Sequence, residues 1–111
     1  EGYSYYFGES GFVDDRISPG KTTLTIDDEG NPGILFVDVT GKSTSVSSQG
    51  GAVRLQGASN TGANWIASYS DGTLLVYSLN ITSMKMITYL NNAGSTSRAK
   101  NSLMVSDCVL D

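Results

Sequence analysis

Short β-favouring runs, broken by turn residues about every ten positions, dominate this chain and point to an all-β fold. Tyr3 to Phe7 is aromatic and strand-like, Gly8 to Gly11 interrupts it, and Phe12-Val13 resumes it briefly. Ser18-Pro19-Gly20-Lys21 carries Pro then Gly at the centre of a turn, the type II requirement, and Asn31-Pro32-Gly33 repeats that chemistry. Between these turns Thr22 to Asp27 alternates, with Leu24 and Ile26 on one face. Ile34 to Val39 follows as an apolar strand. Thr40-Gly41-Lys42 then reverses the chain into a polar strand, Ser43 to Ser48, and Ala52 to Gln56 places Val53 and Leu55 on one face.

The clearest unit is a hairpin. Asn64 to Tyr69 and Leu74 to Leu79 flank Asp71-Gly72, a pair that accepts the positive φ of a tight β-turn. A two-residue turn predicts Tyr69 opposite Leu74, Ala67 opposite Val76 and Ile66 opposite Tyr77. Ile81 to Asn92 fits helical or strand spacing, and its β-branched and aromatic content favours strand. Ala58 to Ala63 and Ala93 to Asn101 read as loops, and Ser102 to Leu110 as a closing strand with Leu103, Val105 and Val109 on one face. The expectation is a single domain, residues 1–111, built as an antiparallel β-sandwich or small β-barrel of about seven to nine short strands.

Two runs break the alternation expected of a half-exposed strand. Ile34-Leu35-Phe36-Val37 and Leu74-Leu75-Val76-Tyr77 are apolar at every position, so both faces of each are expected to be covered. The second cover is either internal, a loop or the second sheet, or external, another subunit or a ligand.

Composition narrows the chemistry. Charged residues make up 16% of the chain, and Ser, Thr, Asn and Gly take their place, a balance common in secreted, periplasmic and cell-surface β proteins. The net charge of −4 and the scatter of the seven basic residues argue against a nucleic-acid partner. No run approaches the roughly 20 apolar residues of a membrane-spanning helix. No signal-peptide pattern stands at Glu1, as expected of a mature or trimmed chain. The absence of histidine removes Ser-His-Asp and Cys-His nucleophilic systems and the usual zinc and iron ligand sets, so no enzyme activity and no cofactor is expected.

The remaining candidates are binding residues. Asp27, Glu29 and Asn31 alternate as oxygen donors and form a weak calcium candidate beside the simpler reading of an acidic turn. Tyr3, Tyr5 and Tyr6 are a candidate carbohydrate or protein contact, or an edge strand packed on the sheet, and Trp65 is either core or ligand platform. Cys108 is a small buried apolar residue or an intermolecular disulfide partner. Asn80-Ile81-Thr82 matches the N-glycosylation pattern.

The segment Gly94 to Lys100 carries Ser95, Ser97, Arg98 and Lys100. With the chain's size, β pattern and acidity, it resembles in general outline the periplasmic lysozyme inhibitors. That resemblance implies an exposed loop whose Ser and basic residue enter the cleft of a basic enzyme. The family's paired cysteines and its aromatic and Lys-Gly motif are missing here. The leading expectation is a non-enzymatic extracytoplasmic domain that acts by protein binding or self-association. The alternatives are an inhibitor of a basic enzyme such as lysozyme, a structural subunit of a surface or filament assembly, and a carbohydrate-binding module.

Overall fold

The computed structural model describes residues 2–6, 11–14, 21–38, 40–92 and 100–109, with backbone alone for residues 2–6, 11–14 and 100. The strands are β1 (Gly2–Tyr6), β2 (Gly11–Asp14), β3 (Lys21–Ile26), β4 (Pro32–Val37), β5 (Ser43–Ser45), β6 (Ala52–Ser59), β7 (Gly62–Ser68), β8 (Leu74–Asn80), β9 (Lys85–Asn92) and β10 (Lys100–Asp107). They form two antiparallel sheets, a seven-stranded one in the order β2-β1-β10-β9-β8-β7-β6 and a three-stranded one in the order β3-β4-β5. The chain adopts the expected all-β antiparallel fold, as two sheets of a sandwich and not as a closed barrel.

Hairpins set the topology, and three of them reuse one turn. In each, the amide of the first residue donates to the carbonyl four residues on, and a glycine amide donates back to the first carbonyl. The bonds are Asp27 N to Asn31 O, Asp38 N to Lys42 O and Tyr69 N to Thr73 O, closed by Gly30, Gly41 and Gly72. Gly72 has φ 91°, the left-handed residue that ends a three-residue hairpin loop. The Asp71-Gly72 hairpin therefore has one more loop residue than a two-residue turn. Its true register pairs Ser68 with Leu74, Ala67 with Leu75, Ile66 with Val76 and Trp65 with Tyr77.

Other sequence expectations shift similarly. Pro32 and Gly33 begin β4 instead of making a turn, because Asp27 to Gly30 already reverses the chain. The polar strand stops at Ser45, where Val46 turns into the core and a 3₁₀ turn, Ser47–Gln49, follows. Residues 81–84 form the β8–β9 turn, so the ambiguous segment is strand only from Lys85. Ala58 and Ser59 extend β6, and Lys100 and Asn101 begin β10.

The core lies between the smaller sheet and the β6–β9 part of the larger one. Ile34, Val46, Trp65, Ala67, Tyr77 and Met86 are its buried apolar residues, with Leu24, Phe36, Val53 and Leu55 packed against them. Burial of these side chains is the main favourable term for folding. Directional contacts fix how the layers meet. The Trp65 indole N–H donates to the Thr25 carbonyl at 3.1 Å. The Phe36 and Tyr77 rings sit 6.4 Å apart at a tilt of 47°. Burial holds the Tyr77 phenol far above its ordinary pKa, with the Thr22 hydroxyl in hydrogen-bonding reach.

Carboxylates cap the repeated turns. Asp27 Oδ1 accepts the amides of Glu29 (2.9 Å) and Asn31 (2.8 Å), and Asp71 Oδ1 accepts that of Thr73 (2.9 Å). Asp38 Oδ1 accepts the Thr40 hydroxyl and the Thr40 and Lys42 amides. These bonds hold all three carboxyls below the ordinary 3.8, led by the Asn31 amide at Asp27, the Thr40 hydroxyl at Asp38 and the Thr73 amide at Asp71. A carboxyl whose folded pKa lies below its unfolded value adds stability that is present above the unfolded value. It is lost as pH falls through the folded one. Thermal stability should therefore fall as pH drops below about 4. The combined variant Asp27→Asn, Asp38→Asn, Asp71→Asn should show a shallower fall over that range in a pH series of melting curves. An acid limb of unchanged slope would refute the assignment.

Candidate functional site: an apolar sheet face

Register assigns every described residue of the larger sheet to a face. The face towards the smaller sheet carries Val53, Leu55, Trp65, Ala67, Leu75 and Tyr77. The opposite face carries Ile66, Val76, Ile87, Tyr89, Leu103 and Val105. Ile66, Val76, Tyr89 and Leu103 stand side by side on β7, β8, β9 and β10, and Ile87 and Val105 pair next to them. Tyr89 is 42% exposed and Val105 44%, while the other four are half-buried. Contacts between the layers run from β4 to β6 and β7, on the face that holds Val53, Trp65 and Ala67. The outer face is thus apolar at its centre.

Its margins are mostly polar. On one side the Ser78 hydroxyl donates to Asn64 Oδ1 at 2.7 Å, and Asn64 Nδ2 donates to the Gln56 carbonyl. Beyond them Lys85 and Asp107 form an exposed ion pair, which raises the lysine pKa and lowers that of the carboxyl, in both cases chiefly through their hydrogen bond. On the other side Asn91 of β9 stands between Asn101 of β10 and Leu74 of β8. An apolar centre inside a polar rim is the usual anatomy of a protein–protein contact.

The backbone register continues the central row in both directions. Arg54 of β6 stands opposite Ile66, Tyr3 of β1 opposite Leu103, and Asp14 of β2 opposite Tyr3. The row therefore crosses all seven strands, with an exposed arginine position at one end and an aspartate position at the other. Arg54 forms no ion pair among the described residues.

The sequence-predicted site residues fall in different places. Tyr3, Tyr5 and Tyr6 stand opposite Leu103, Asn101 and Lys100 in the β1–β10 ladder. Trp65 is 6% exposed and committed to the core through Thr25. Ser95, Ser97 and Arg98 lie outside the described residues, and Lys100 begins β10. Cys108 is half-buried against the core, its amide bonded to the Met84 carbonyl, and burial followed by the Asp107 charge pushes its thiol pKa up. Asp27 spends Oδ1 on its own turn, and Glu29 and Asn31 contribute backbone amides to that cap. Among the described residues no group of three His, Cys, Asp or Glu side chains is placed to hold a metal ion. Asn80, of the glycosylation triplet, is exposed and accepts the Ser83 amide and hydroxyl.

A concavity of about 490 Å³ opens between the smaller sheet and the β6 edge, lined by Thr25, Pro32, Ile34, Ser45, Ala52 and Val53 among others. None of its described lining residues is ionisable. No helix among the described residues is long and apolar enough to cross a membrane.

The doubly apolar run Leu74 to Tyr77 was the sequence signal for the outer face. Its meaning depends on register. With the three-residue loop in place, Tyr77 and Trp65 share the core face and Val76 and Ile66 share the outer one. Compared with protein-family models, with curated proteins and with solved structures, the chain shows no match to any of them.

Proposed function

We propose that this chain is an extracytoplasmic binding domain that acts through protein contact, and that its partner is a second copy of itself, seated on the outer face of the larger sheet. The observation that carries this reading is the contiguous apolar row Ile66, Val76, Tyr89, Leu103 on four adjacent strands, with Tyr89 at 42% exposure inside a polar rim. Monomeric proteins seldom leave such a continuous apolar surface to water. The area suits a dimer. Seven strands about 4.8 Å apart and about 20 Å long present on the order of 700 Å², near the roughly 800 Å² per partner of a standard interface. The low charge content and the wealth of Ser, Thr, Asn and Gly support a place outside the cytoplasm.

Solution mass by light scattering over a hundredfold concentration range tests the reading. Wild type is expected to move from monomer to dimer with concentration, unaffected by reductant. Tyr89→Lys, at an exposed position, should stay monomeric with an unchanged circular dichroism spectrum. A wild-type monomer throughout would overturn the reading. A dimer that dissolves in reductant would overturn it as well, and would point to Cys108.

A further inference from the structure

The larger sheet ends at β6, which pairs with β7 alone, so one edge of β6 has no strand beside it. Hydrogen-bond alternation gives the groups which that edge presents. The β7–β8 hairpin is closed at one end by the Tyr69 amide on the Thr73 carbonyl, and beyond the other end the Ile81 amide donates to the Thr61 carbonyl. Odd-numbered residues of β7 therefore bond to β8, and even-numbered ones to β6. Ser68, Ile66 and Asn64 stand opposite Ala52, Arg54 and Gln56. The N–H and C=O groups of Val53 and Leu55, the residues between, thus point away from β7 to the open edge. A bulge between Gln56 and Ser59 ends the regular ladder, which leaves room for about five residues of added strand.

The smaller sheet is open at the same place. β5 covers only Leu35 to Val37 of β4, so β4 has no strand on that side at Pro32 and Gly33. The concavity of about 490 Å³ opens there, with Thr25, Ile34, Ser45 and Val53 in its wall. Its size is that of a cleft that takes a small ligand or a few side chains. We infer that the β6 edge binds an extended peptide as an added antiparallel strand, one that carries an acidic residue between two apolar ones.

Each part of that pattern answers a group on the edge. An extended backbone is the partner that matches alternating amide donors and carbonyl acceptors. Peptide side chains opposite Val53 and Leu55 lie on the core face, beside two half-buried apolar residues and next to the concavity. The peptide residue between them lies on the other face, opposite Arg54. That position is a non-hydrogen-bonded pair, where facing side chains are closest. Arg54 is exposed, forms no ion pair among the described residues, and is the only ionisable residue of β6. An aspartate or glutamate there completes a cross-strand charge pair. A second copy of β6 is the poorer occupant. Antiparallel pairing that engages Val53 and Leu55 of both strands sets Arg54 opposite Arg54, a like-charge pair.

The probe is a blocked pentapeptide, Thr-Val-Asp-Val-Thr, with binding followed by fluorescence anisotropy of a labelled copy and by backbone amide NMR. Saturable binding is expected, with the largest amide shifts at Val53 and Leu55. Lysine in place of the peptide aspartate should weaken binding about tenfold, an attraction lost and a repulsion gained. Arg54→Glu, at an exposed position, should reverse that preference with an unchanged circular dichroism spectrum. N-methylation of either peptide valine removes a ladder donor and should also cost about tenfold, whereas N-methylation of the aspartate, whose amide faces away from β6, should be tolerated. Tyr89→Lys, which removes the outer-face contact, should leave peptide binding unchanged, so the two readings fail separately. No saturable binding at millimolar peptide would overturn the inference. So would equal affinity for the aspartate and lysine peptides, equal cost of all three N-methylations, or shifts centred on Ile66, Val76 and Tyr89. A wild-type dimer that the peptide dissociates would place a second copy on the edge and overturn it as well.

Discussion

Trp65→Ala is expected to lower the unfolding free energy by about 3–5 kcal/mol, the range for removing a large buried aromatic side chain. For a domain of this length that corresponds to a drop in melting temperature on the order of 15 °C. Two effects combine. The indole is 6% exposed and lies in the core with Ile34, Ala67 and Tyr77, so its removal leaves a cavity in the layer between the sheets. Its N–H also donates to the Thr25 carbonyl, a bond that spans forty residues of sequence and joins β7 to the smaller sheet. Trp65→Phe separates the two, because it keeps an aromatic ring and loses the bond. It should cost less, about 1–2 kcal/mol. Urea unfolding followed by circular dichroism measures both variants. Equal stability of Trp65→Ala and wild type would mean that the layers are not joined at this residue.

Trp65 also shows what could be read from the sequence and what could not. Its place at the start of the Asp71-Gly72 hairpin was legible, because turn glycines and β-rich runs are local signals. So was the all-β, antiparallel architecture, which follows from many such signals at regular spacing. Register was not. A two-residue turn and a three-residue loop ending in a left-handed glycine both use Asp-Gly, and the backbone conformation around Gly72 decides between them. One residue of slip exchanges the faces of everything that follows. Under the two-residue reading Ile66 stands opposite Tyr77; in the fold Ile66 meets Val76 on the outer face and Trp65 meets Tyr77 in the core. The apolar outer row was therefore present in the sequence only as a doubly apolar run without direction. Its length across the sheet needed the strand order, which places β1 and β2 beyond β10 although they come first in the chain. Non-local pairing of that kind leaves no local trace. The acidic residues illustrate the reverse: Asp27, Glu29 and Asn31 alternate like metal ligands in sequence, but the carboxylate of Asp27 faces the amides of its own turn.

Gly62→Ala is expected to be among the most damaging changes that add a single methyl group. Gly62 opens β7 directly after the Asn60-Thr61 turn and stands opposite Asn80 at the end of β8. A Cβ there would lie 2.1 Å from the Leu79 carbonyl oxygen and 3.2 Å from its carbon. Those are backbone atoms held in the ladder, so no side-chain rotation relieves the clash. Relief requires β7 and β8 to separate where the Ile81 amide donates to the Thr61 carbonyl at 2.7 Å. The expected cost is about 3 kcal/mol, at the upper end for an overpacked site. Gly72→Ala is the informative control. It meets no atom within 4 Å but has φ +91°, so it suffers backbone strain without a clash and should cost about 1 kcal/mol. Chemical denaturation of the two variants side by side therefore ranks close approach against conformational strain. If Gly62→Ala proved no worse than Gly72→Ala, β7 and β8 would have room to part at that end, and the Leu79 carbonyl would not be the barrier that its position implies.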